Sequence, residues 1–272
     1  MNRRVIGAIV RKDLRVVLQN KGVVLPILLL PLILFVVLPL VVTLIPASLG
    51  NTASNSADLQ ELLAMISPGL RQQLAGLDLN QAAVLFFLVY MMAPLFLIVP
   101  IMVSSVIAAD SFVGERERKT LEALLYTPAT DAELLTGKLL AAWLPALAVS
   151  LLSYLFYGVI SNFAVWPTFQ RLLFPNAIWN VLVIWVAPAA AATSLATMIL
   201  VSVRAKTFQD AYQTGSLVVL PVLMLLFGQL FGLMYFSVPL SLLLGVVLWL
   251  ISLVLLAYGR RTLHRSELIA RL

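Results

Sequence analysis

The sequence predicts an all-α membrane protein. It reads as six transmembrane helices with an amphipathic interfacial helix before them, a short cytosolic helix between the second and third spans, and both termini in the cytoplasm. Three observations predict this. The chain is 62% hydrophobic and 11% charged, against about 25% charged in a soluble globular domain, so its solvent is lipid. Six segments reach the roughly 20 apolar residues that a spanning helix needs. Sixteen of the eighteen Lys and Arg residues fall on one side of such a plan, and the positive-inside rule makes that side cytoplasmic.

The elements follow in order. Residues 1–22 are a cytosolic interface helix. At about 100° per residue, Ile6, Ile9, Val10, Leu14 and Val17 share one face, and Arg4, Arg11, Lys12, Arg15 and Gln19 cover the other. Asp13 falls on the apolar side. It either pairs with a base from another cytosolic segment or stays solvated. Residues 23–260 form one transmembrane domain with spans near 23–45, 82–109, 139–160, 178–203, 212–236 and 240–258. The second and fourth exceed what a bilayer requires, which predicts tilt or extension into the cytosol. Residues 47–81 form the largest outer loop, with helical spacing at Leu59, Leu62, Leu63 and Ile66 that ends at Pro68-Gly69. In 161–177 and just beyond, Trp166, Phe169, Phe174 and Trp179 read as an interfacial aromatic belt. A tight turn is expected near 237–239, and 261–272 form a cytosolic tail. Prolines inside the spans, Pro31, Pro39, Pro94 and Pro188 among them, remove backbone donors and can kink the helices. No cleavable signal peptide is expected, because the first apolar run is too long for one.

Composition also excludes chemistry. With no cysteine and a single histidine, His264, thiolate and multi-histidine metal sites are not available. The net charge of +6 fits topology and contact with anionic lipid rather than nucleic acid. No GxxxxGK[ST] is present, and Gly137-Lys138 is followed by Leu139, so the chain should not bind ATP itself. An intramembrane enzyme would need a nucleophile–base pair or clustered carboxylates within the spans, and the sequence offers neither.

The charge is concentrated in a polar island, 110–138. It carries six of the twelve acids, Asp110, Glu115, Glu117, Glu122, Asp131 and Glu133, with the bases Arg116, Arg118, Lys119 and Lys138. Residues 115–119 read as solvated charges. Thr120 to Tyr126 read as a short helix with Leu121, Leu124 and Leu125 on one side, stopped by Pro128. Thr130 with Glu133 three residues on forms a capping box for a second helix that runs into the third span. On these grounds the island is either a partner-docking surface or a solvated anchor.

The run from Glu115 to Leu140 resembles the signature loop of ABC-2 type permeases, the membrane subunits of a class of ATP-binding-cassette exporters. The resemblance rests on Glu115, Glu117, Thr120, Leu121, Glu122, Leu124, Leu125, Pro128, Gly137 and Lys138. Lys12-Asp13-Leu14, the SVRAK segment at 202–206 and the basic C-terminal tail also resemble that family. The resemblance implies that two permease subunits, identical or different, form the path, while two copies of a cytosolic ATPase bind ATP and Mg. No cofactor is then held by this chain. The loop between spans two and three would carry the coupling helix, with Glu115, Glu117, Thr120, Leu121, Glu122, Leu124 and Leu125 docking on the ATPase and Lys12, Asp13 and Arg15 in the interface helix. It implies residence in a bacterial or archaeal inner membrane. The short outer loop departs from relatives with a large extracellular domain, which leaves lipid, drug and sodium export open. A membrane scaffold or sensor that binds an ATPase without transporting shares the same loop and is the alternative. Pathway candidates are Tyr154, Tyr157, Asn180, Gln213 and Gln229. The absence of ionisable groups from the mid-membrane sequence favours a lipid-like or amphipathic substrate over a bare cation.

Overall fold

The computed structural model describes residues 2–49, 67–120 and 129–262. Among these the chain is helical and no strand occurs. Helix α1 covers Arg3–Gln19. Among the described residues, six helices are long and apolar enough to cross a membrane: α2 (Lys21–Thr43), α4 (Asn80–Glu117), α5 (Asp131–Phe169), α6 (Ala177–Arg204), α7 (Phe208–Leu230) and α8 (Val238–Gly259). A short helix, α3 (Pro68–Leu74), precedes α4.

Helices α4 and α6 form the centre of the bundle, and the others wrap them. Their sequences explain the position. Near its middle α6 carries Ala187, Ala189, Ala190, Ala191 and Ala192, all buried, and small side chains let backbones approach closely. Hydroxyls then tie the helices. The hydroxyls of Ser105 on α4 and Ser194 on α6 lie 2.5 Å apart, Ser194 also donates to Ile101 O at 3.0 Å, and Thr193 donates to Leu248 O on α8 at 2.9 Å. The outward faces of α5, α7 and α8 carry exposed leucine, valine and phenylalanine, as a lipid solvent requires.

The expected proline effects take a definite form. Three wide π-turns, Ile33–Val37, Phe86–Met91 and Leu182–Val186, each end two or three residues before a proline, at Pro39, Pro94 and Pro188. Proline cannot donate to the carbonyl one turn back, and local widening with side-chain donors re-satisfies the freed groups. Tyr157 Oη donates to Leu88 O at 2.6 Å and Trp179 Nε1 donates to Val89 O at 3.0 Å, both in the Phe86–Met91 turn.

Two expectations are corrected. The helix of the third span does not end near 160. α5 is one helix of 39 residues, about 58 Å long at 1.5 Å per residue. The connection shrinks to 170–176 and folds back on the bundle, where Asn162 accepts from Leu173 N and Phe174 N and donates to Phe174 O. As a result Phe174 and Trp179 are not interfacial. They are 2% and 0% exposed, in a cluster of rings with Phe35, Phe96 and Tyr157 whose centroids lie 4.6–6.5 Å apart. Trp166, by contrast, is 53% exposed.

The second correction concerns the island. Its first residues are not a loop, because α4 continues through a fourth π-turn, Asp110–Gly114, to Glu117. The helix stops in a Schellman arrangement. Thr120 N donates to Glu115 O at 2.9 Å and Lys119 N to Arg116 O at 3.0 Å, with Lys119 at φ +57°. The capping box stands as expected. Thr130 Oγ1 accepts from Glu133 N at 3.3 Å, and Glu133 Oε2 accepts from Thr130 N at 3.0 Å.

Candidate functional site

The end of the bundle that carries α1, called here the basic end, holds a buried charge cluster. α1 packs on the start of α5, and Gly137 is what allows it, since a Cβ there would stand 2.8 Å from Ile9. That close approach brings α1 polar atoms over the π-turn of α4. Ser111 Oγ donates to Asp13 Oδ2 at 2.8 Å. Lys138 Nζ donates to Ser111 O and to Glu115 Oε2, both at 2.6 Å, and lies 3.9 Å from Asp13 Oδ2. Lys12 pairs with Glu115 and lies 3.1 Å from Asp13 Oδ1. Beside them Asp110 Oδ1 accepts from Arg118 at 2.9 Å and from Asn20 at 3.2 Å.

Three acids thus face three bases. Asp13, Glu115 and Lys138 are 2%, 3% and 4% exposed. Isolated charges could not be buried so far, and matched ones with extra hydrogen bonds can. Burial works against the Lys12 ammonium, but Glu115 and then Asp13 outweigh it and hold its pKa above the ordinary lysine value.

The same short stretch also reaches the other side. The Arg116 guanidinium donates to Ala205 O, just beyond α6. Glu117 Oε2 accepts from Phe208 N at 2.8 Å, one of the unsatisfied amides at the start of α7, where a negative charge is favoured. Thr207 caps that helix through Asp210 N.

The sequence-predicted residues are distributed as follows. Lys12, Asp13 and Glu115 meet in the cluster, and Asp13 takes the first of its two readings, facing Lys138 from another segment. Glu115 is not a solvated charge. The tight approach over Gly137 encloses it between α1 and α5. Arg15 is exposed, and Thr120 closes the end of α4 through its amide and hydroxyl on Glu115 O. Leu121, Glu122, Leu124 and Leu125 lie outside the described residues. Among the pathway candidates, Tyr157 is enclosed by aromatic rings and Gln229 accepts from Phe236 N at 3.2 Å. Tyr154 donates to Asn180 at 2.6 Å on a more open face, and Gln213 is exposed. Sequence reasoning missed Ser111 as the cluster's bridge. Its spacing from Glu115, four residues on and therefore on the same helix face, was the available signal.

A family model described as ABC-2 family transporter protein matches residues 7–240, from α1 to the start of α8. No curated protein and no solved structure gives a match.

Proposed function

The chain belongs to the ABC-2 family of transporter proteins, and on that premise we propose that it is the permease subunit of an ATP-driven exporter. It is a multi-pass membrane protein of a transporter family. We assign ATP and Mg chemistry to a separate cytosolic ATPase, present in two copies, and the path to two permease subunits. The basic end then faces the cytoplasm of a bacterial or archaeal inner membrane. The distribution of Lys and Arg supports that orientation.

The clasp at residues 115–117 carries this reading. Glu115 holds α1 and α5, while Arg116 and Glu117 hold the α6–α7 connection. A push on the segment that follows residue 120 would therefore reach four helices at once, which is what an ATPase needs in order to switch a bundle between two arrangements. Glu115 acts from inside. The contact itself is assigned to Glu117, Thr120, Leu121, Glu122, Leu124 and Leu125, with leucines supplying burial and charges supplying register. A lipid-like or amphipathic substrate is favoured by the apolar interior of the spans.

The test is reconstitution of the chain in vesicles with the ATPase that co-purifies from its own membrane. ATP-driven movement of a fluorescent amphiphile is expected, and Leu124→Asp should abolish it without lowering the thermal unfolding midpoint of the chain. ATPase binding with no substrate movement would establish the scaffold reading instead. Unchanged transport in Leu124→Asp would remove the docking assignment.

A further inference from the structure

At the basic end, away from the charge cluster, a cleft of about 440 Å³ opens between α6, α7 and α8. Its walls are mixed in a particular way. Leu200 and Val201 form an apolar side, and Arg204, Asp210, Thr214 and Tyr258 form a polar one. All four polar residues are exposed. Among the described residues Arg204 has no carboxylate within ion-pair distance. Asp210 Oδ2 accepts from Lys206 N at 3.1 Å, which leaves its second oxygen for another donor. One cation, one anion and two hydroxyls therefore face a common space where the apolar spans end.

The surface leading into the cleft is apolar. Val254 and Leu250 lie one and two turns from Tyr258 on the same face of α8, and Leu217 lies one turn from Thr214 on α7. All three are between 58% and 68% exposed. A ligand that fits carries an anion for Arg204, an ammonium for Asp210 and hydrocarbon for these flanks.

We propose that this cleft binds the headgroup of a phospholipid whose phosphate is esterified to ethanolamine. Arg204 takes the phosphate through paired N–H donors, a geometry that suits guanidinium. Thr214 and Tyr258 add hydroxyl donors, and Asp210 accepts from the primary ammonium. The acyl chains run along α7 and α8 toward the bilayer centre. The site is independent of the transport reading. It is nevertheless mechanically joined to the clasp, because Ala205 in its wall is the residue that Arg116 holds.

The experiment uses the full chain, delipidated in neutral detergent and titrated with short-chain phosphatidylethanolamine, phosphatidylcholine, phosphatidylglycerol and inorganic phosphate. Retained lipid is read by native mass spectrometry, and stabilisation by the thermal unfolding midpoint, since a ligand that binds only the folded state raises it. Phosphatidylethanolamine should bind best. Arg204→Gln should weaken all three lipids by about tenfold, the scale of a lost charge-assisted pair. Asp210→Asn should bring phosphatidylethanolamine down to the level of phosphatidylglycerol. Equal binding of phosphatidylglycerol and phosphatidylethanolamine to the unaltered chain would overturn the role of Asp210. Unchanged affinity in Arg204→Gln, or inorganic phosphate binding as well as lipid, would overturn the site as a headgroup site.

Discussion

Helices α4 and α5 meet other helices at both ends of the bundle, and the two meetings use opposite chemistry. At the basic end, α1 joins them through Asp13, Glu115, Lys12 and Lys138. Toward the other end, α2 and α6 join them through Phe35, Phe96, Tyr157 and Trp179. A π-turn of α4 sits under each: Asp110–Gly114 below the charges and Phe86–Met91 below the rings. The rings are interlocked by shape, and their two polar atoms are spent on backbone carbonyls. The charges hold a second partner within reach, because Lys138 sits 2.6 Å from Glu115 and 3.9 Å from Asp13. If the chain switches between two states, the basic end is built to move and the aromatic end to act as the pivot.

The largest expected effect tests the charged end. Lys138→Met removes the base enclosed by two acids and should lower stability by about 3–5 kcal/mol, the usual consequence of stranding a buried charge. Adding Glu115→Gln should restore part of that, because Asp13 keeps Lys12. Thermal unfolding of single and double variants, read as a cycle, measures it. If the double variant is no better than the single one, the end is held by packing rather than by charge balance.

The aromatic end should respond differently. Trp179→Phe keeps a ring but deletes the indole donor to Val89 O. Leaving that carbonyl unpaired in a dry core should cost about 1–3 kcal/mol. No second substitution should rescue it, and transport should survive in proportion to folded protein. A loss of transport beyond the loss of fold would mean that the rings also move.

A third test addresses how the charged end is assembled. Gly137→Ala places a Cβ 2.8 Å from Ile9 and should destabilise by about 1–3 kcal/mol through overpacking. In an Ile9→Ala background, which lacks the Cγ2 at 2.8 Å and the Cδ1 at 3.3 Å, the same substitution should cost less. A smaller cost in that background places the effect at the α1–α5 contact. With an equal cost, the glycine matters for another reason.

The two ends also differ in how far the sequence revealed them. The spans were legible because lipid demands about twenty apolar residues in a row, and the capping box at Thr130 and Glu133 was legible because its partners are three residues apart. The charge on Asp13 was conspicuous on an apolar face. Its partner was not, since Lys138 is 125 positions away and only the Gly137 approach brings them together. Trp179 and Phe174 were misread because an interfacial belt and a core cluster have the same composition. What separates them is the fold-back at Asn162, a tertiary contact that leaves no periodicity. The π-turns were hidden for a similar reason. Proline announced that a donor would be missing, but not that Tyr157 and Trp179 would supply a replacement.

The smallest expected effect concerns the joint between the basic end and the segment proposed to dock. Lys119 occupies the C′ position of the Schellman arrangement at φ +57°, where a side chain crowds its own backbone and glycine does not. Lys119→Gly should relieve that strain, and the greater freedom of the unfolded glycine should offset part of the gain. The net change in stability is therefore expected to stay within about 1 kcal/mol, toward stabilisation. Transport is the more telling readout. Lys119 is the last residue before Thr120, whose amide and hydroxyl both bind Glu115 O, so the turn sets how the chain leaves α4. A glycine that preserves the turn should preserve coupling. Lys119→Val, which disfavours φ > 0, should uncouple ATP hydrolysis from transport while Glu115 stays paired with Lys138. Coupling that survives valine would mean that the segment is guided by its partner rather than by the end of α4.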